Sequence, residues 1–223
     1  MKKLKIDRDK MIQSIIKRRT KHKLEDVEQY YEELETKFQR DKKRLSKRYD
    51  EKVENGKLNS ETKYQLDEYF SEKHYVIENI FLKTVRYSMI VTIYSLLEIS
   101  LNDLCRYLCD SKKLSLSLEE SSGDGIKRAK LYLAKVCLID FPESNEWNEI
   151  LKLNEIRNCI VHTQGDIEFA KSPEKLRNIV ANTRGIELEN DRFIRIDSEY
   201  INTALSNTKK LLEMVYDKSF EIV

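Results

Sequence analysis

The fold is decided by residues 89–101, which read Met-Ile-Val-Thr-Ile-Tyr-Ser-Leu-Leu-Glu-Ile-Ser-Leu. Apolar side chains occupy most positions around the helical turn in this segment, which is typical of a helix buried on several sides. A stripe with three- and four-residue steps extends the pattern in both directions, through Leu66, Phe70, Ile77, Phe81, Val85, Met89, Ile93, Leu97, Leu101, Leu104 and Leu108. We therefore predict a long central helix that begins near Asn59-Ser60-Glu61, where a capping residue precedes an acid, and ends near Asp110.

Scarce turn residues predict long helices elsewhere in the chain. Only 5 Gly and 2 Pro are present, and these are the residues that most often interrupt helices. A first helix is predicted from about Ile6 to Val53, with Asn55-Gly56 as its stop signal. Beyond it, turn signals come closer together. They predict a helix over 125–138, a helix over 145–162 capped by Ser144, and a short helix with Ser172 as N-cap and Pro173 as its first residue. A β-hairpin is predicted over 186–196 around Asn190-Asp191, followed by a last helix capped by Asp197.

Together these elements predict an all-α fold, an up-and-down helical bundle with a long N-terminal helix and a small C-terminal β-hairpin. Two parts are expected: residues 1–55, a charged helix that serves as an arm or as a dimer or regulatory element, and residues 56–223, the helical domain. Basic blocks at 17–23 and 42–48 either follow a phosphate backbone or belong to an ordinary solvated helix. The six acids in residues 24–36 favour the solvated interpretation, because they offer charge pairing along the helix.

Composition and spacing exclude several classes of protein. Four cysteines and three histidines are present, but no C-x-x-C pair occurs and the histidines lie far apart. We therefore expect free thiols, no metal site and no cofactor. The basic N-terminus lacks an apolar core segment of the kind found in signal peptides, and the longest charge-free run, Tyr87 to Leu97, has 11 residues, too few to span a bilayer. A soluble, cytoplasmic protein that contacts no membrane is expected.

Candidate chemistry lies in the predicted helix over 145–162. Its polar stripe consists of Asn154, Asn158 and His162, spaced i, i+4 and i+8, and Arg157 flanks that stripe. A purely structural interpretation is the more common one for such spacing, because histidine is favoured at helix C-termini and asparagines often satisfy backbone groups. The apolar residues Ile150, Leu153, Ile156 and Ile160 follow helical spacing and are expected to face the core.

The segment Leu153-Asn-Glu-Ile-Arg-Asn-Cys-Ile-Val-His-Thr-Gln-Gly165 resembles the signature of HEPN domains, which is Arg, a polar residue, three variable residues and His. Residues 94–98 and 101–105 resemble the long core helix of that family, with its embedded acid. Residues 125–130, Trp147 and the late hairpin are similar to prokaryotic HEPN toxins of the MAE and RiboL-PSP types. The resemblance covers about residues 75–220, and the helix in residues 1–55 departs from the compact family pattern.

This resemblance implies a HEPN-like fold and an endoribonuclease that cleaves RNA without metal, through attack by the adjacent 2′-hydroxyl. Arg157 would hold the scissile phosphate, and His162 would move the proton as general base or acid. Asn158 would orient His162 or the phosphate, and Asn154 would support the site from the same stripe. For Glu98, the embedded acid, two roles stay open: it holds Arg157 in place, or it is a structural carboxylate.

Helix geometry and the resemblance both predict a homodimer. Because Arg157 and His162 are five residues apart, they point about 140° apart around a helix, so one helix makes a poor composite site unless its last turn unwinds. HEPN proteins work as dimers with the site between protomers, as a two-fold interface allows. The expected partners are therefore a second copy, an RNA substrate and a possible cognate antitoxin, in a toxin–antitoxin or phage-defence system. Two alternatives are an inactive HEPN binding or assembly module and a helical scaffold.

Overall fold

The computed structural model describes residues 8–56 and 58–220, and this part of the chain is all-α except for one hairpin. The expected start of the first helix at Ile6 lies outside the described residues. The helices are α1 Arg8–Asn55, α2 Ser60–Lys112, α3 Gly125–Lys135, α4 Asn145–Thr163, α5 Pro173–Ala181 and α6 Ser198–Phe220, with a 3₁₀ turn at Ile167–Phe169. The strands are β1 Ile186–Glu189 and β2 Phe193–Ile196.

Helix α2 is the centre of the fold, as its apolar pattern predicts. Helices α1, α3, α4 and α6 all pack against it, so its surface is covered on several sides. The sequence placed the end of this helix near Asp110, and the structure continues it to Lys112, after which Lys113 takes a left-handed conformation. Its buried residues include Met89, Ile90, Ile93, Leu97, Leu101, Leu104 and Leu108.

One segment of α2 departs from the predicted stripe. Residues Val76–Leu82 form π-helical turns inside the otherwise α-helical Ser60–Lys112. Hydrogen bonds from i to i+5 widen the turn, so the side chains that follow are rotated relative to a regular 3.6-residue period. Phe81, which periodicity placed on the buried face, is 45% exposed and contacts the ring of Phe38 on α1 at 5.6 Å between centroids.

The apolar part of α2 also meets the composition of a membrane span. By length and composition alone, the helix Ser60–Lys112 includes an 18-residue segment that is apolar enough to cross a bilayer. This segment is longer than the charge-free run of the sequence and therefore contains charged residues. In this fold 39% of the segment is buried inside the protein, and its buried residues belong to the core. Core helices of this kind are hydrophobic around most of their surface for that reason.

Helix α1 packs along both α2 and α6. Leu24 and Tyr31 of α1 belong to the same buried core as α2. Arg86 of α2 is 7% exposed and donates from Nε and Nη2 to the carboxylate of Glu35 at 3.2 and 2.6 Å, while its Nη1 donates to Ile196 O at 3.0 Å. One guanidinium therefore joins α1, α2 and the hairpin.

The helix and hairpin boundaries agree with most of the predicted signals. Ser144 Oγ accepts from Trp147 N at 3.3 Å, and Asp197 Oδ1 accepts from Tyr200 N at 3.1 Å, so both act as N-caps. Asn190 and Asp191 have φ values of 52° and 55°, which suits the tight turn of a two-residue hairpin. Ser172 lies at the N-cap position and Pro173 begins α5, as expected, but the side chain of Ser172 makes no capping hydrogen bond.

Candidate functional site

Arg157 lies half-buried on α4 and is held on two sides. Its Nη1 donates to Asn158 Oδ1 at 2.8 Å, and its guanidinium carbon lies 5.0 Å from the centroid of the Tyr94 ring on α2. The Nε of Arg157 is buried without a hydrogen-bond partner. A guanidinium has five N–H donors, and among the described residues Nη2 has no hydrogen-bond partner, so this group is fixed in place while Nη2 retains its donors.

The polar stripe of α4 connects Arg157 to Asn154 but does not extend to His162. Asn158 Nδ2 donates to Asn154 Oδ1 at 3.4 Å, which joins the two amides and the guanidinium. His162 is exposed and makes no hydrogen bond or ion pair with any residue among 8–56 and 58–220. The helix is continuous through Thr163, so its last turn is not unwound and one copy does not bring Arg157 and His162 together.

Glu98 lies close to Tyr94, next to the first turn of α3. It is half-buried, and a Cβ placed on Gly125 would lie 3.6 Å from Glu98 Oε1 and 3.4 Å from Tyr94 Oη. Within the described part of the chain Glu98 makes no ion pair with Arg157, and the two side chains share Tyr94 as a neighbour.

The ionisation of Tyr94 is set by this neighbourhood. Burial raises the pKa of Tyr94, and the negative charge of Glu98 raises it further, while the charge of Arg157 and the N–H of Ile126 act in the opposite direction. The net direction is upward, so the phenol stays neutral at ordinary pH. Arg157 therefore packs on a neutral π face, which attracts a cation through the ring quadrupole. Such a contact orients the guanidinium without neutralising its charge.

His162 is positioned by the turn that ends α4. Gln164 and Gly165 have φ values of 55° and 84°, and Gly165 N donates to Cys159 O at 3.2 Å, which is the pattern of a left-handed C-cap. Gly165 O accepts from Ile194 N of β2 at 2.9 Å. The Tyr87 hydroxyl donates to Ile194 O on the same strand. The hairpin and α2 thus hold the end of the helix that carries His162.

Replacing Gly165 with alanine is expected to destabilise this turn by about 2–4 kcal/mol. A Cβ at this position would lie 2.1 Å from Tyr87 Oη, and the left-handed φ is itself unfavourable for alanine. Urea unfolding with the Gly165→Ala variant measures the loss. In a Tyr87→Phe background the nearest conflicting atom is absent, so the same substitution is expected to cost less. An equal cost in both backgrounds would show that the Tyr87 contact is not what constrains the turn.

The sequence missed the contacts that arrange the site. From the sequence, Tyr94 belongs to the helix that carries Glu98, and the i, i+4 spacing between the two is the signal that places them side by side. The contact of Tyr87 with Gly165 joins residues 78 positions apart in the chain, which periodicity does not reveal. Of the functional residues predicted from the sequence, the structure brings Arg157, Asn158 and Asn154 together. It places His162 and Glu98 outside this hydrogen-bonded group.

Comparison with known proteins gives no further guide to this site. No protein-family model matches the chain, and neither a curated protein nor a solved structure matches it. Among the described residues, no group of three or more His, Cys, Asp and Glu side chains is arranged to hold a metal ion. The cysteines at 105, 109, 137 and 159 are free thiols.

Proposed function

We propose that this protein is a metal-independent endoribonuclease of the HEPN type that acts as a cytoplasmic homodimer in a toxin–antitoxin or phage-defence system. The observation that carries the proposal is the arrangement on α4. A half-buried Arg157 is held by Asn158 and Tyr94 and keeps an unpaired donor, and an exposed, unpartnered His162 follows on the last turn. The same two residues occupy the Arg and His positions of the sequence that resembles the HEPN signature.

The chemistry requires a fixed cation and a mobile proton. Arg157 binds the scissile phosphate and stabilises the charge that develops on its oxygens. The 2′-oxygen of the neighbouring ribose attacks the phosphorus and forms a new P–O bond, while the bond to the 5′-oxygen breaks. The imidazole of His162 takes the proton from the 2′-hydroxyl, and the imidazolium that results gives a proton to the departing 5′-oxygen. The products are a 2′,3′-cyclic phosphate and a free 5′-hydroxyl, and His162 serves the proton transfers.

A homodimer is part of the proposal because one copy separates the two groups. Arg157 and His162 point about 140° apart on a regular helix, and α4 stays regular through Thr163. Two copies of α4 that meet across a two-fold axis would place the arginine of one near the histidine of the other. Expected partners are thus a second copy and RNA, with a cognate antitoxin as a possible third and no membrane.

The test incubates purified protein with mixed RNA in EDTA and follows cleavage by gel. The His162→Ala variant is expected to cleave at least about a hundredfold more slowly, because it lacks the proton-transfer group. His22→Ala is the matched control, since this side chain is 64% exposed on α1 and lies outside the site. Its rate is expected to equal that of the unchanged protein.

Three results would contradict the proposal. If the unchanged protein forms dimers but cleaves no RNA, an inactive binding or assembly module is favoured. If it neither dimerises nor binds RNA, a helical scaffold is the better account. Equal cleavage by the unchanged protein and by His162→Ala would show that the activity comes from another site or from a contaminant.

A further inference from the structure

Beyond the end of α4, cations and aromatic rings alternate in a continuous stack. The Arg192 guanidinium carbon lies 5.5 Å from the centroid of Phe169 and 5.1 Å from that of Phe193. The Nζ of Lys83 lies 5.5 Å from the centroid of Phe193 and 5.5 Å from that of Tyr87. We call these five side chains, Phe169, Arg192, Phe193, Lys83 and Tyr87, the aromatic–cation ladder.

The ladder is anchored to rigid parts of the fold. Arg192 donates from Nε and Nη2 to Asp166 Oδ2 at 2.9 and 2.6 Å, and Asp166 is 6% exposed. Asp166 also caps the 3₁₀ turn that carries Phe169, by accepting from Glu168 N at 3.1 Å. Ile167 N donates to Arg192 O at 3.1 Å. One buried carboxylate therefore fixes both the central cation and the turn that presents the outermost ring.

The ladder is continuous with the candidate active site. Asp166 follows His162 by four residues, and it forms a bridge with Phe193 of the hairpin. The Tyr87 hydroxyl and Gly165 both bond to Ile194, which places the inner end of the ladder against the turn that ends α4. A chain bound at His162 therefore needs only a short extension to reach Phe169.

The exposed face of the ladder combines a bare ring with positive charge. Phe169 is 74% exposed, yet it is held by a cation instead of by a hydrophobic core. Lys83 is half-buried and forms no ion pair within residues 8–56 and 58–220, although Glu189 lines the same pocket, so its positive charge is not paired directly. The nearby acid Glu168 is paired with Arg177, which reduces repulsion of an approaching anion.

We infer that the aromatic–cation ladder binds single-stranded RNA next to the cleavage site, an inference that rests on the proposed ribonuclease function. An unstacked base lies on the open face of Phe169, and a neighbouring phosphate lies near Lys83 and Arg192. Proteins that hold single strands combine these two features, because every base has a π face and every linkage carries a charge. Bases inside a duplex are already stacked on each other, so the ladder distinguishes single strands from duplexes.

The test measures RNA binding separately from cleavage. His162→Ala protein is titrated in EDTA against a short, fluorescently labelled single-stranded RNA and against the same sequence as a duplex, with anisotropy as the readout. Adding Phe169→Ala is expected to weaken single-strand binding about tenfold and to leave duplex binding unchanged. Phe169→Leu keeps an apolar side chain without a π face and is also expected to weaken single-strand binding. Circular dichroism and unfolding temperature check that the variants fold.

Tyr64→Ala is the matched control. Tyr64 is an aromatic residue that is 68% exposed on the same helix as Lys83, about 28 Å away along the helix axis. It is expected to leave RNA binding unchanged. Equal affinities for Phe169→Ala and Tyr64→Ala, or no affinity for single-stranded RNA in any variant, would overturn the inference even if the unchanged protein cleaves RNA. Conversely, a Phe169-dependent affinity without any cleavage would support the ladder and contradict the ribonuclease function.

Discussion

A heterodimer with Arg157→Ala in one copy and His162→Ala in the other is expected to cleave RNA at about half the rate of the unchanged protein, because one of two equivalent sites keeps both groups. Each parent homodimer is expected to be inactive. The reason is the geometry of α4: a regular helix through Thr163 separates the guanidinium from the imidazole within one copy. If each site takes Arg157 from one copy and His162 from the other, the heterodimer contains one site with neither group and one site with both.

The experiment co-expresses the two variants with different affinity tags and purifies the doubly tagged dimer. Its cleavage rate in EDTA is compared with both parent homodimers and with a doubly tagged dimer of unchanged copies. A second control places both substitutions in one copy opposite an unchanged copy. That dimer has no composite site with both groups and is expected to be inactive. Activity in this control, together with an inactive first heterodimer, would mean that each copy cleaves with its own arginine and histidine.

The sequence predicts the parts of the fold that depend on periodicity and capping. Apolar steps of three and four residues in α2 give the central helix, because a helix that is apolar on several sides must be covered by other elements. Asn190 and Asp191 give the hairpin, since both tolerate the left-handed conformation that the turn requires. These signals come from residues that are close together in the chain, so the sequence alone is sufficient to predict the helix and the hairpin.

Contacts between distant residues set the rest of the structure. The π-helical segment Val76–Leu82 rotates the side chains that follow it in α2, and no residue in this segment is a recognisable sequence signal for π-helical turns. Arg86 pairs with Glu35, which is 51 positions away in the chain, and no local sequence pattern indicates that pair. The candidate site likewise combines contacts that the sequence predicts with contacts that depend on packing between distant residues. The polar stripe around Arg157 follows from helical spacing, whereas the ring of Tyr94 beneath it depends on how α2 and α4 pack.

Replacing Glu35 with glutamine is expected to lower the free energy of unfolding by about 3–5 kcal/mol at neutral pH, as for other buried ion pairs that lose one partner. The side chains of Arg86 and Glu35 are only 9% and 13% exposed, so Arg86 would remain charged in the interior without a counter-ion. Glutamine keeps nearly the same shape, which separates the loss of charge from the loss of packing. Urea unfolding monitored by circular dichroism measures the change. Glu51→Gln, in an exposed pair with Lys47, is the control and is expected to cost less than about 1 kcal/mol.

The pH dependence of the same variant tests the electrostatic origin of the loss. Burial alone would raise the pKa of Glu35, but hydrogen bonds from Arg86 and Gln39 outweigh it, and the pKa lies below its usual range. A carboxyl with a lowered pKa in the folded state stabilises the protein above its unfolded pKa, and that contribution disappears as the pH falls through the folded value. The difference between the unchanged protein and Glu35→Gln is therefore expected to be full at neutral pH and to shrink as the pH falls below about 4.3, the ordinary pKa of glutamate. A difference that stays constant down to acidic pH would show that packing around residue 35, and not its charge, joins α1 to the rest of the fold.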